Sequence, residues 1–222
     1  MDTIIFWGVV LGGIGLSRVL WPNAWKRKPG WRLPAPAPFL KEGLPPGSTK
    51  AQRRKGLADT KVGDYIAIVG RVGDRAELVA PLSRRPCVAS DMVLFDAQTG
   101  DRVARVLRAG TFLLDTGTET ALVDARGAFV RVTYDHRMDE RDRAKLDESV
   151  IPGEVHAQRL MGDEGIIGPG EYVLVIGVVE RPTASDEAGY RNLADSRIRI
   201  AGGGVRPSVV STVPADLHTF GR

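Results

Sequence analysis

Cys87 is the chain's one cysteine and its first candidate for chemistry. It ends the run Pro81-Leu82-Ser83-Arg84-Arg85-Pro86-Cys87, close to two cations. A thiolate is a nucleophile, and a neighbouring guanidinium lowers the pKa of a thiol. Against this, a lone cysteine between proline and valine matches a small buried hydrophobe, and a structural role is the expectation here. One cysteine excludes an intrachain disulfide, which suits a reducing compartment. His136, His156 and His218 lie far apart and show no ligand spacing, so no metal site is expected. Gly202-Gly203-Gly204 before Arg206 could cradle an anion. No helix pattern follows it, and a flexible turn is the simpler reading. Asp139, Glu140, Asp142, Asp147 and Glu148 form an acidic cluster that reads as the solvated face of a helix. No G-x-S-x-G elbow and no phosphate-binding P-loop occurs. The sequence therefore supplies no catalytic residue and implies no cofactor.

The elements that must carry these residues are mostly strands. Asp64 to Val72 is a β-branched run, and Glu77 to Ala80 is a shorter one; a turn at Val72-Gly73-Asp74-Arg75 would join them as a hairpin. Met92 to Asp96 and Arg102 to Arg108 flank the turn Gln98-Thr99-Gly100-Asp101, a second hairpin signal. Thr111 to Leu114, Ala121 to Asp124 and Phe129 to Tyr134 follow, separated by glycine turns. Tyr172 to Glu180 is apolar on both faces and is expected to be central. Arg197 to Ala201 ends the series. One helix is expected over Arg137 to Glu148, stopped by Pro152 and polar nearly all round, hence on the surface. The fold class that follows is mostly β, a small OB-like barrel or sandwich with one surface helix.

Ahead of this domain lies an apolar run, Thr3 to Trp21. A helix of ~19 residues rises roughly 28 Å, close to the hydrocarbon thickness of a bilayer. Arg18 is its one charge and lies near its end, where a long side chain can snorkel; Trp21 and Trp25 suit the same boundary. A cleaved signal peptide would want a basic residue before the run and a small-residue cleavage site, and neither is present. Residues 1–21 are thus expected to be a transmembrane anchor, with a buried core helix as the bland alternative. Gly8 and Gly12 form a G-x-x-x-G pair that would let two such helices pack as a homodimer. Only Asp2 precedes the run, and Lys26, Arg27, Lys28 and Arg32 follow it. That asymmetry aims the soluble part at the cytoplasm, with the N-terminus outside, in an inner membrane.

Charge divides the chain of 222 residues. Residues 1–61 carry 11 Lys/Arg against 3 Asp/Glu, a net of +8, and residues 62–222 carry 20 against 24, a net of −4, which together give the overall +4. The basicity belongs to a juxtamembrane arm, expected as a proline-rich linker over 22–61 with the β-domain at 62–222. Pro34, Pro36 and Pro38 favour an extended spacer, and Pro45-Pro46-Gly47 breaks any helix. Lys26, Arg27, Lys28, Arg32, Arg53, Arg54 and Lys55 are expected to meet anionic headgroups. Nucleic acid is the less favoured partner, because the membrane is already adjacent; a plain solvated linker stands level with specific lipid contact.

Residues 70–101, from Gly70 through Ala-Pro-Leu-Ser-Arg-Arg-Pro-Cys-Val to Phe95-Asp96-Ala97-Gln98-Thr99-Gly100-Asp101, resemble the GIDE or BAM ("beside a membrane") domain family. Pro81, Leu82, Ser83, Pro86 and Cys87 are the most specific stretch. Glu164 to Val179 resembles a second family segment through Glu164, Pro169, Gly170, Glu171 and Gly177. The resemblance covers roughly 62–205 and implies a bacterial, single-span member. This chain departs from the family pattern at Val88-Ala89-Ser90, where an aromatic pair is usual. A zinc-binding RING, which gives some members ubiquitin-ligase activity, cannot be built with one cysteine. The motif residues are read as structural.

The function expected from these readings is a membrane-anchored, non-catalytic binding or scaffold module. It would present its β-domain at the inner face of the membrane to an unknown protein partner, through a barrel face or strand edge. A cysteine-dependent or other hydrolase or transferase acting near the membrane is the alternative.

Overall fold

A computed structural model describes residues 44–144, 146, 160–182, 198–202 and 206–220. The expected membrane span, Gly8 and Gly12, and the cations Lys26, Arg27, Lys28 and Arg32 lie outside these residues. Among the described residues no helix is long and apolar enough to cross a membrane.

Among the described residues the strands are β1 Gln52–Arg54, β2 Tyr65–Val72, β3 Leu78–Val79, β4 Pro86–Cys87, β5 Ala89–Asp96, β6 Arg102–Ala109, β7 Thr111–Asp115, β8 Thr120–Asp124, β9 Phe129–Arg131, β10 His136–Arg137, β11 Leu160–Ile167, β12 Tyr172–Glu180, β13 Arg199–Ala201 and β14 Val209–Ser211. Two short helices join them, α1 Glu140–Ala144 and α2 Pro214–Phe220. The fold is mostly β and contains a closed five-stranded barrel. The ring runs β2–β7–β8–β13–β12 and returns to β2. Every pairing in it is antiparallel except β8 with β13.

β12 is the hub, as its two-sided apolar sequence predicts. It pairs with β2, β13 and β14. Alternate residues of β2 and β12 serve two cores. Ile66, Ile68, Val173 and Val175 point into the barrel with Phe112, Leu114, Val123 and Ile200. Ala67, Leu174 and Ile176 point outward, under Tyr65, Val209, Ala51 and Phe220. The outer layer is completed by α2 and the segment from Leu44. α2 is fastened by Asp216, which receives Arg131 Nη1 at 2.6 Å and the Ser211 hydroxyl at 2.6 Å.

Insertions between the ring strands build a second sheet in the order β10–β11–β5–β6. Its core of Met92, Leu94 and Leu160 packs against Leu82, Met138 and Leu146.

Several expectations are corrected. The hairpin between Asp64–Val72 and Glu77–Ala80 does not form. The second run pairs with Pro86–Cys87, while the end of β2 pairs with β7, so its edge is already occupied. The linker expected through residue 61 gives way earlier to packed structure. Ser48 and Leu57 are buried, and β1 pairs in parallel with β2. Composition hid this, because single apolar residues, Ala51 and Leu57, do the packing among polar neighbours. Of the helix expected over 137–148, Glu140–Ala144 is helical and Arg137 belongs to a strand. Asp139 and Asp142 cap it reciprocally, each side chain accepting the other's backbone N–H. The expected single helix is joined by α2, which the sequence reading did not anticipate.

Candidate functional site

The two segments that carry the motif residues meet at Glu164. This residue sits on β11, whose sequence Leu-Met-Gly-Asp-Glu-Gly-Ile-Ile looks too acidic and glycine-rich for a buried strand. Its side chain is fully buried. A carboxylate there needs hydrogen-bond donors, since desolvating it unpaired is costly. Glu164 Oε1 accepts the Leu82 N–H at 2.8 Å, and Oε2 accepts the Ser83 N–H at 2.9 Å and the Ser83 hydroxyl at 2.5 Å. The turn around Pro81 and Ser83 thus folds over a buried anion. The Ala80 N–H donates to the Arg85 carbonyl at 3.0 Å, and Arg84 adopts a left-handed φ of 58°.

This geometry assigns roles to the motif. Leu82 drops into the core of the second sheet. Pro81 is buried, and Pro86 is exposed on β4 opposite Val79. Ser83 supplies a hydroxyl to Glu164. Gly70 and Gly177 mark close strand approaches. A Cβ on Gly70 would lie 2.7 Å from the Asp115 carbonyl oxygen, and one on Gly177 would lie 2.8 Å from that of Ala201. Gly170, in the turn between β11 and β12, accepts Arg71 Nε at 2.9 Å.

Cys87 is fully buried among Ala80, Ile166 and Leu78. Burial, with the Glu164 charge adding to it, pushes its thiol up to about 11, against the lowering influence of Ser90, Arg108 and Arg85. At neutral pH the thiolate is then present at about one part in ten thousand. The thiol lacks both the charge state and the access of a nucleophile. Arg85, whose proximity suggested activation, instead forms a bidentate pair with Asp135 at 2.7 and 2.8 Å.

A second polar node lies on the same sheet. Asp91 is buried on β5, receives Arg105 bidentately at 2.8 and 2.9 Å, and accepts the Tyr134 hydroxyl at 2.6 Å. Burial first, and then Asp91, pushes the Tyr134 phenol far above its ordinary value. Sequence reading missed Asp91, Tyr134 and Arg105. They lie on β5, in the loop between β9 and β10, and on β6, and no local spacing links them.

The other predicted residues separate. His136 contacts Asp142 at 2.9 Å, His218 lies on α2, and His156 is outside the described residues. Among the described residues no cluster of three or more His, Cys, Asp or Glu side chains is placed to hold a metal ion. Of the cations expected at headgroups, Arg53 lies over the Phe220 ring at 5.2 Å, Arg54 bonds Gln52 and Asp64, and Lys55 is exposed. Comparison with known proteins finds no matching family model, no matching curated protein and no matching solved structure.

Proposed function

We propose that the chain is a membrane-anchored, non-catalytic binding module that presents its β-domain to a protein partner at the inner face of the membrane. The observation that carries the binding part is β6. It is an eight-residue strand at the edge of the second sheet, and β5 is its only strand neighbour among the described residues. An edge of this length offers a row of backbone donors and acceptors to an extended partner segment. Leu107 stands on it 43% exposed, an apolar side chain left uncovered among the described residues. Its arginines discourage pairing with a like edge, so a partner of different sequence suits it.

Two further readings belong to this proposal. The ring, numbered by chain order, runs 1-2-3-5-4 and supports an OB-like Greek-key barrel, a fold used for binding. The contact of Glu164 with Leu82 and Ser83 gives the residues resembling the GIDE/BAM family a common structural purpose, and supports the reading of membership of that family; that the member is single-span rests on the sequence of the anchor. Anchoring rests on Thr3 to Trp21 and the cations after it.

The test uses the full chain in its native membrane, with a photocrosslinking residue at position 107. A discrete protein adduct is expected, and it should vanish when Val106→Pro disrupts the edge. Lack of any protein adduct from position 107 would overturn the β6 reading. Anchoring is tested separately by alkaline carbonate extraction, where recovery in the soluble fraction would overturn it.

A further inference from the structure

A cleft of about 570 Å³ opens beside the start of β2, outside the barrel core. Three separate stretches line it, 46–52, 63–65 and 206–207. Its charged lining residues are Lys50, Asp64 and Arg206. Their states differ. Asp64 Oδ2 already accepts the Lys61 N–H at 3.0 Å and meets Arg54 Nη2 at 3.5 Å. Lys50 and Arg206 have no carboxylate within ion-pair distance among the described residues. Arg206 is held in place another way. Its guanidinium lies 5.5 Å from the centre of the Tyr65 ring, and the Tyr65 hydroxyl donates to the Pro207 carbonyl at 2.9 Å. Two cations therefore share one concave site whose single acid is matched by Arg54.

We propose that this cleft binds a phosphate ester through Lys50 and Arg206. Arginine's planar fork and lysine's compact charge are both suited to phosphate oxygens. The volume lies within the usual span of small-ligand sites, roughly 300–1,000 Å³, and leaves room for a small organic group beside the phosphate. Single-stranded nucleic acid fits less well. Its binding relies on open aromatic faces for stacking, and Tyr65 is buried with Arg206 over its ring. From sequence the glycine-rich stretch before Arg206 reads first as a flexible turn and only second as an anion cradle; the partner cation is Lys50, more than 150 positions away. The ester could be a lipid headgroup or a soluble metabolite. The lipid source rests on the anchored reading, whereas the site itself does not.

The full chain in neutral phosphatidylcholine nanodiscs is titrated with glycerol 1-phosphate by calorimetry. Saturable binding is expected with a Kd of about 0.1–1 mM, weakening as salt rises. Lys50→Gln and Arg206→Gln should each weaken it about tenfold, Lys50→Arg should restore most of it, and Arg137→Gln, on the second sheet and outside the cleft lining, should leave it unchanged. Lys50 is exposed, so its replacement spares the fold even if loss of Arg206 loosens Tyr65. No saturable binding, binding unaffected by Lys50→Gln, or binding of an acidic peptide in preference to the phosphate would overturn the site. Exchange of phosphatidylcholine for phosphatidylglycerol then identifies the source. Competition with glycerol 1-phosphate supports a headgroup, and its absence supports a soluble ester. If the chain is carbonate-extractable yet binds the ester, the anchor fails and the site stands.

Discussion

The barrel and the second sheet are held together by different forces. The barrel closes on itself, and its interior is almost wholly aliphatic, with Phe112 its largest member. Burial of that kind is non-directional and scales with area. Among the described residues the second sheet is open at β6, and it keeps two carboxylates, Glu164 and Asp91, out of water. Each is surrounded by donors whose positions must be right, so this part adds directional bonds to its own smaller apolar core. The residues that most resemble catalytic machinery gather around the open sheet: Asp91 and Glu164 lie on it, Ser83 in the turn against it, Cys87 on β4 and Tyr134 in the loop before β10. The bonds of Ser83 to Glu164 and of Tyr134 to Asp91 show how polar residues can concentrate in one region because the fold needs them there.

Breaking the barrel should cost most. Phe112→Ala removes a fully buried ring and is expected to lower global stability by about 3–5 kcal/mol, read by chemical denaturation. Glu164→Ala should cost about 2–4 kcal/mol by orphaning the Leu82 and Ser83 donors. Its signature should be local, with hydrogen exchange accelerating over 80–87 and 160–167 more than over β12. Uniform acceleration across both regions would erase the distinction between them.

Acid sharpens the comparison from the barrel side. Asp124, at the end of β8, pairs with Arg126 and Arg199. The Arg126 hydrogen bond is the main cause that holds its carboxyl down at about 2, with Arg199 assisting against the opposing burial. A depressed folded pKa gives stability that is present above the unfolded value of about 4 and lost as pH falls towards 2. Wild type should therefore lose about 1–2 kcal/mol more than Asp124→Asn between those pH values, a figure reduced for the exposure of Arg126. Equal losses in the two proteins would remove Asp124 from the account.

How far the sequence revealed this follows from the same contrast. Tyr172–Glu180 is strand along its whole predicted length, because a continuous β-branched run is a local signal. The turn over Gln98–Asp101 likewise joins β5 to β6 as read. β11 escaped notice because Glu164 and Asp163 mask a buried strand, and burial of Glu164 makes sense only once Leu82 and Ser83 are beside it. The motif segments were legible singly, but their contact spans 82 positions. Ala51 and Leu57 were hidden in a basic arm, and the cleft joins three stretches that share no pattern.

The central claim is that the domain binds through its surface while Cys87 only packs. Photocrosslinking from position 107 of the full chain in native membranes, with and without Cys87→Ala, tests it most directly. The account predicts the same protein adduct in the same yield from both. Loss of the adduct in a folded Cys87→Ala protein, or a thiol-linked covalent intermediate on Cys87 in the wild type, would contradict it.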